Sequence, residues 1–160
     1  MRRFALSLAV LALPSWHAGA QESKVSIPPE PTPHLSPAVG IHYGSPLRIS
    51  VAVGVLADMS TRRNDGIIVM AEAGRQGNEV SAGYFRLLGR YGSGYSLRAA
   101  VVRTGDEPWN ASPHTTYVGV EGHWMLIFGV GGRVGYLRRV SRSVLDPHDN
   151  LASVGLSIGW

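Results

Sequence analysis

From residue 38 to the C-terminus the chain alternates apolar residues with small or polar ones at period two, in short runs broken by turn-forming residues. That period puts successive side chains on opposite faces of an extended backbone, which is the pattern of strands and not of helices. Leu47, Ile49, Val51, Val53 and Val55 alternate with Arg48, Ser50, Ala52 and Gly54, and Tyr95, Leu97, Ala99 and Val101 alternate with Ser96, Arg98, Ala100 and Val102. Gly44-Ser45-Pro46, Arg75-Gln76-Gly77-Asn78 and Tyr91-Gly92-Ser93-Gly94 punctuate the runs as turns. No segment between them has a helical period, so the chain reads as all-β.

The runs predict strands over residues 38–43, 47–55, 67–74, 79–90, 95–104 and 151–160, with polar loops at 58–66, 105–115 and 141–150. In the fourth run Val80, Ala82, Tyr84 and Leu88 share a face that Arg86 interrupts, with Phe85 and Leu87 opposite. From Thr116 to Tyr136 one parity holds for more than twenty residues. A single strand of that length would measure about 70 Å at ~3.3 Å per residue, more than twice a bilayer core. It must break, and the expected break is a turn around His123 to Met125, with Gly131-Gly132 as the alternative. Eight strands joined mainly by short turns predict an up-and-down antiparallel barrel.

The N-terminus reads differently. Arg2 and Arg3, the apolar run Phe4 to Leu13 and Ala18-Gly19-Ala20 have the layout of a cleaved secretory signal peptide over residues 1–20. Residues 21–37, QESKVSIPPEPTPHLSP, hold five of the ten prolines and read as an extended, disordered leader before a barrel domain at 38–160. Removing Arg2 and Arg3 takes Lys+Arg from 15 to 13 against 11 acids, a mature formal charge of +2, with the basic residues scattered. That distribution argues against a nucleic-acid partner. The chain has no cysteine, which excludes disulfides, a lipid anchor on cysteine, zinc–thiolate sites and thiol catalysis.

The last ten residues, LASVGLSIGW, place Ala152, Val154, Leu156, Ile158 and Trp160 on one face and Ser153, Gly155, Ser157 and Gly159 on the other. A soluble strand carries longer polar groups on its second face. Glycine and serine suit the cramped interior of an eight-stranded barrel, and a terminal aromatic suits a membrane interface. This segment resembles the C-terminal signature of bacterial outer-membrane barrels, an alternating apolar strand ending in an aromatic residue. The strand-and-turn rhythm of 38–160 resembles, more loosely, the small eight-stranded barrels of the OmpX and OmpA type. Trp160 stands where those families usually have Phe. The resemblance implies a transmembrane barrel in the outer membrane, in contact with its lipid and lipopolysaccharide, whose last strand is read by the barrel-assembly machinery.

If the Val/Ile/Leu face meets lipid, the charged residues Arg48, Glu72, Arg98, Glu121, His123 and Arg133 fall on the inner face, where they are expected to form a polar network. Arg86 then faces lipid, and Tyr43, Tyr84, Tyr95, Trp124, Tyr136 and Trp160 are candidates for interfacial girdles. The lipid A deacylases among small outer-membrane barrels carry a His-x-Ser pair with a Glu. Here the only such pair is His34-Leu35-Ser36, which the reading places in the leader. Glu121 and His123 share the inner face and are weak candidates for acid–base catalysis, without an evident serine partner. His42, His114, His123 and His148 are too dispersed for metal ligation, and no cofactor motif is present. The expected function is a structural or surface-interacting outer-membrane barrel with a filled interior and no pore, acting through the loops at 105–115 and 141–150. The alternatives are a lipid-modifying outer-membrane enzyme and a soluble periplasmic barrel that binds an apolar ligand.

Overall fold

The computed structural model describes residues 34–60, 64–88, 92–126, 128–140 and 149–160. The signal peptide expected at 1–20 and the leader up to residue 33 lie outside them. Eight antiparallel strands form a closed barrel in sequence order: β1 (His34–Gly44), β2 (Arg48–Ser60), β3 (Asp65–Gly74), β4 (Gly77–Leu87), β5 (Gly94–Thr104), β6 (Thr116–Met125), β7 (Val130–Arg139) and β8 (Asn150–Gly159). β8 returns to β1 through Gly40↔Gly159 to Gly44↔Gly155, which leaves no open sheet edge. The even count puts the first and last strand ends together with the connections 61–64, 88–93 and 126–129, here called the terminal end. The connections 45–47, 75–76, 105–115 and 140–149 stand at the opposite, loop end.

Stagger and tilt follow from the register. From Gly40 the paired residues run Ala52, Glu72, Glu79, Val102, Tyr117 and Arg139; one further step of the β7–β8 register reaches Asp149, level with position 50 on the β1 line. Closing the circuit from 40 to 50 is a shear of ten residues, which for eight strands tilts them by about 40–45°.

Burial alternates along the strands, most regularly in β5, where every second residue from Gly94 to Thr104 is buried and the others are exposed. The exposed set is the apolar one: Val53 is 55% exposed, Leu97 60%, Val120 54% and Leu156 69%. The interior is layered. Near the terminal end Ala38, Ala52, Leu56, Ile68, Met70 and Phe85 form one apolar cluster, and near the loop end Leu47, Ala100, Val102, Tyr117, Leu137 and Leu151 form another. Glycines let the wall close. Gly132 pairs with Trp124, and a methyl group at Gly132 would come within 2.7 Å of that indole, which lies across it.

Several boundaries differ from expectation. β1 begins at His34, inside the expected leader, because residues 34–37 pair with 55–58. For the same reason β2 continues into the expected 58–66 loop as far as Ser60, past a register shift between Asp58 and Ser60, and β3 begins within it at Asp65. The β6–β7 break falls at 126–129, not at His123–Met125, which lie within β6, nor at Gly131-Gly132, which lie within β7. The turn is closed by Leu126 N–H donating to the Val130 carbonyl, with left-handed backbone at Phe128 (φ 58°) and Gly129 (φ 75°). β8 stops at Gly159, whose φ of 85° turns Trp160 out of the row begun by Ala152, Val154, Leu156 and Ile158. Trp160 is half-buried and meets Phe85 edge-on at 6.0 Å in the terminal-end cluster, so it closes the barrel floor and does not extend the outer band.

Candidate functional site

Between the two apolar clusters the inward positions are polar, and alternation alone sends them there. β1 supplies His42, β2 Ser50, β3 Glu72, β4 Glu79 and Ser81, β5 Ser96 and Arg98, β6 Glu121 and His123, β7 Arg133, and β8 Ser153 and Ser157, all buried. Glu72 is the hub. His42 Nδ1 donates to its Oε2 (2.7 Å), Ser50 Oγ donates to its Oε1, and Arg133 Nη1 bridges both oxygens at 3.0 and 3.1 Å. Arg133 Nη1 also lies 3.5 Å from Glu79 Oε2. On the other wall His123 Nε2 is 3.3 Å from Glu121 Oε2, and the rings of His42 and His123 are 5.7 Å apart. Arg98 pairs in register with Glu121 across β5–β6.

The structure thus brings together five of the six residues expected to line the lumen: Glu72, Arg98, Glu121, His123 and Arg133. Arg48 is elsewhere. It is exposed at the start of β2 with φ 63°, and that left-handed backbone takes it out of the inward row. Sequence reasoning missed His42, Glu79 and Ser50 as network members. His42 carried the signal in its parity with Gly40 and Gly44; Glu79 was obscured by its place beside the 75–78 turn. Arg86 faces outward as expected, in register with Asp65 near the end of β4.

In the chain Ser50–Glu72–His42 the carboxylate sits between the hydroxyl and the imidazole, so the imidazole is not placed to take the serine proton. Ser96 is registered opposite His123, yet its hydroxyl has no hydrogen-bond partner among the described residues. Apolar residues close the layer on both sides. The pair His34 and Ser36 lies on β1 at the terminal end, with His34 Nδ1 3.1 Å from Ser36 Oγ and both on the inward parity. Asp58 is in register with His34 but makes no ion pair with it.

At the loop end residues 105–115 fold back over the barrel mouth. Glu107 N–H donates to Gln76 Oε1 (3.0 Å), Trp109 N–H to the Pro46 carbonyl (3.0 Å), and Ser45 Oγ to the Trp109 carbonyl (2.8 Å). Ser112 N–H donates to the Tyr117 hydroxyl (3.0 Å), and Thr104 Oγ1 donates to the Ser112 carbonyl (2.6 Å). His114 and Asp106 form an exposed pair at 3.0 Å. The expected partner loop at 141–150 lies outside the described residues up to 148, His148 included. No protein-family model, curated protein or solved structure matches the chain.

Proposed function

We propose that the chain is an outer-membrane β-barrel with a structural or surface-interacting role, filled inside and presenting its loop end outward. The observation that carries this reading is its inverted distribution: apolar side chains cover the outer wall while carboxylates, guanidinium groups and imidazoles occupy the interior. A soluble barrel would expose the charged set and bury the apolar one, because a contiguous apolar surface of this extent is costly in water. The dimensions agree. Ten residues at ~3.3 Å each, tilted by about 43°, rise about 24 Å, close to the ~25 Å apolar band of outer-membrane barrels.

Such a barrel contacts outer-membrane lipid and lipopolysaccharide along its wall and meets the assembly machinery through β8. The row Ala152, Val154, Leu156 and Ile158 supports the latter, with Trp160 marking the end of the strand from the inside. Expression of the full chain in a Gram-negative host tests the reading. The expected result is recovery in the outer-membrane fraction, with a folded form that migrates faster on a gel before boiling than after. A monodisperse protein that stays soluble without detergent would overturn it.

A further inference from the structure

We propose that the cleft between Tyr43, Arg48 and Trp109 binds the phosphorylated sugar headgroup of a membrane glycolipid; the proposal rests on the outer-membrane reading. The cleft has a volume of about 190 Å³ and lies at the loop end of β1 and β2. Tyr43 ends the outward row of β1, so the cleft begins where the apolar band stops.

Three features make this a built site. Trp109 comes from the loop between β5 and β6, and hydrogen bonds to Pro46 and Ser45 tie its backbone to the β1–β2 turn. Its ring then stands 6.1 Å from Tyr43 at 53°, which leaves two aromatic faces at the level of a headgroup. Arg48 supplies the cation. Its guanidinium makes no ion pair or side-chain hydrogen bond among the described residues, although the barrel pairs its inner arginine Arg133. Arg48 also holds a left-handed backbone (φ 63°), a conformation disfavoured for a side chain of this type and a marker of sites where geometry serves binding. An uncommitted guanidinium recognises phosphate through two parallel N–H donors. The aromatic pair beside it offers flat apolar faces to a sugar ring. Among the described residues no carboxylate lines the cleft.

The test uses the full chain folded in neutral-detergent micelles, titrated with a phosphorylated glucosamine-disaccharide lipid, with its dephosphorylated form and with inorganic phosphate, reading tryptophan fluorescence. The expected result is saturable binding of the phosphorylated lipid, weakened about tenfold or more by Arg48→Gln. Trp109→Phe should abolish the fluorescence response while retaining binding in a radiolabelled-lipid assay, and Trp109→Ala should weaken the binding itself. Equal binding of the dephosphorylated lipid, or no effect of Arg48→Gln, overturns the proposal. If inorganic phosphate competes with equal affinity, the site takes free phosphate and the glycolipid source is wrong. Each variant is checked for heat-modifiable mobility. A barrel that folds but does not discriminate between the lipids refutes the site alone, whereas a chain that needs no detergent refutes the reading beneath it.

Discussion

Replacing Arg133 by methionine isolates what the inner charges contribute. Its guanidinium is fully buried and its Nη1 reaches two carboxylates, Glu72 at 3.0 Å and Glu79 at 3.5 Å. Three buried glutamates, Glu72, Glu79 and Glu121, face two buried arginines, Arg98 and Arg133. Arg133→Met leaves one guanidinium for the three acids. Glu72 keeps Ser50 and His42, but Glu79 loses its ion pair with Arg133. Leaving a buried charge without its partner costs about 3–5 kcal/mol. With a urea dependence of about 2 kcal/mol per molar, the unfolding midpoint in lipid vesicles should fall by roughly 2 M. Unfolding is followed by tryptophan fluorescence and by the shift to the slow-migrating form on unboiled gels. Removing the orphaned acids as well, in Arg133→Met/Glu72→Gln/Glu79→Gln, should recover most of the loss. A single variant within about 1 kcal/mol of the parent would falsify the assignment of this cost to an orphaned buried charge, because mobile water would then be replacing the guanidinium. A triple variant no better than the single one would show that the loss came from packing and not from charge.

Other substitutions probe the wall, the seam between strands and the floor. Val120→Arg, on the outward row of β6, should destabilise the barrel in lipid by about 2–4 kcal/mol, measured as the shift in the urea transition; a neutral effect would place this wall in water. Gly135→Ala brings a methyl group within 2.6 Å of Glu121 Cγ and 2.9 Å of the Val120 carbonyl, so it should cost about 1–3 kcal/mol in the same assay, and an unchanged midpoint would contradict the β6–β7 register. Trp160→Ala and Phe85→Ala should couple by about 1 kcal/mol in a double-mutant cycle, whereas additive losses would mean the two rings do not touch.

The inner and outer sets of the wall were legible because parity is local: Val51, Val53 and Val55 need only their own strand to declare a common face. Positions where a single backbone angle resets that parity were not legible. Nothing in the residue types of Gly159 and Trp160 tells a glycine that continues a strand from one whose φ of 85° swings the last indole inward. Arg48 left the inner row by the same means, at φ 63°. The β6–β7 turn was hidden for a related reason. Its described residues Leu126, Phe128 and Gly129 include none of the polar turn formers, and an aromatic residue occupies a left-handed position that Asn or Gly usually fills. The network partners needed information that no single strand holds. His42, Glu72 and Arg133 lie on β1, β3 and β7 and meet only because the sheet closes with a particular stagger.

That dependence gives the charged layer a physical rationale beyond stability. Buried ion pairs add little net free energy, since removing the ions from water offsets their attraction. Their placement, however, penalises the wrong barrel. Slipping any hairpin by one residue flips every side chain to the other face. A slip in β3 would send Glu72 outward in place of Ala71 and Ala73, and a slip in β7 would send Arg133 outward in place of Val134. If the wall lies in a membrane, as proposed, an outward arginine at mid-depth costs roughly 2–4 kcal/mol, in addition to the partners it leaves unpaired inside. The closing β8–β1 pair needs this help most. It has five registered residue pairs between Gly40–Gly44 and Gly155–Gly159, flanked by Ser45 N–H donating to the Val154 carbonyl and Trp160 N–H to the Val39 carbonyl, and glycines at both ends offer no side chains to fix the register. His42 and Ser157, the inward pair at its centre, are buried on the polar layer, and the correct closure is also the one that brings Arg133 of β7 to Glu72 of β3.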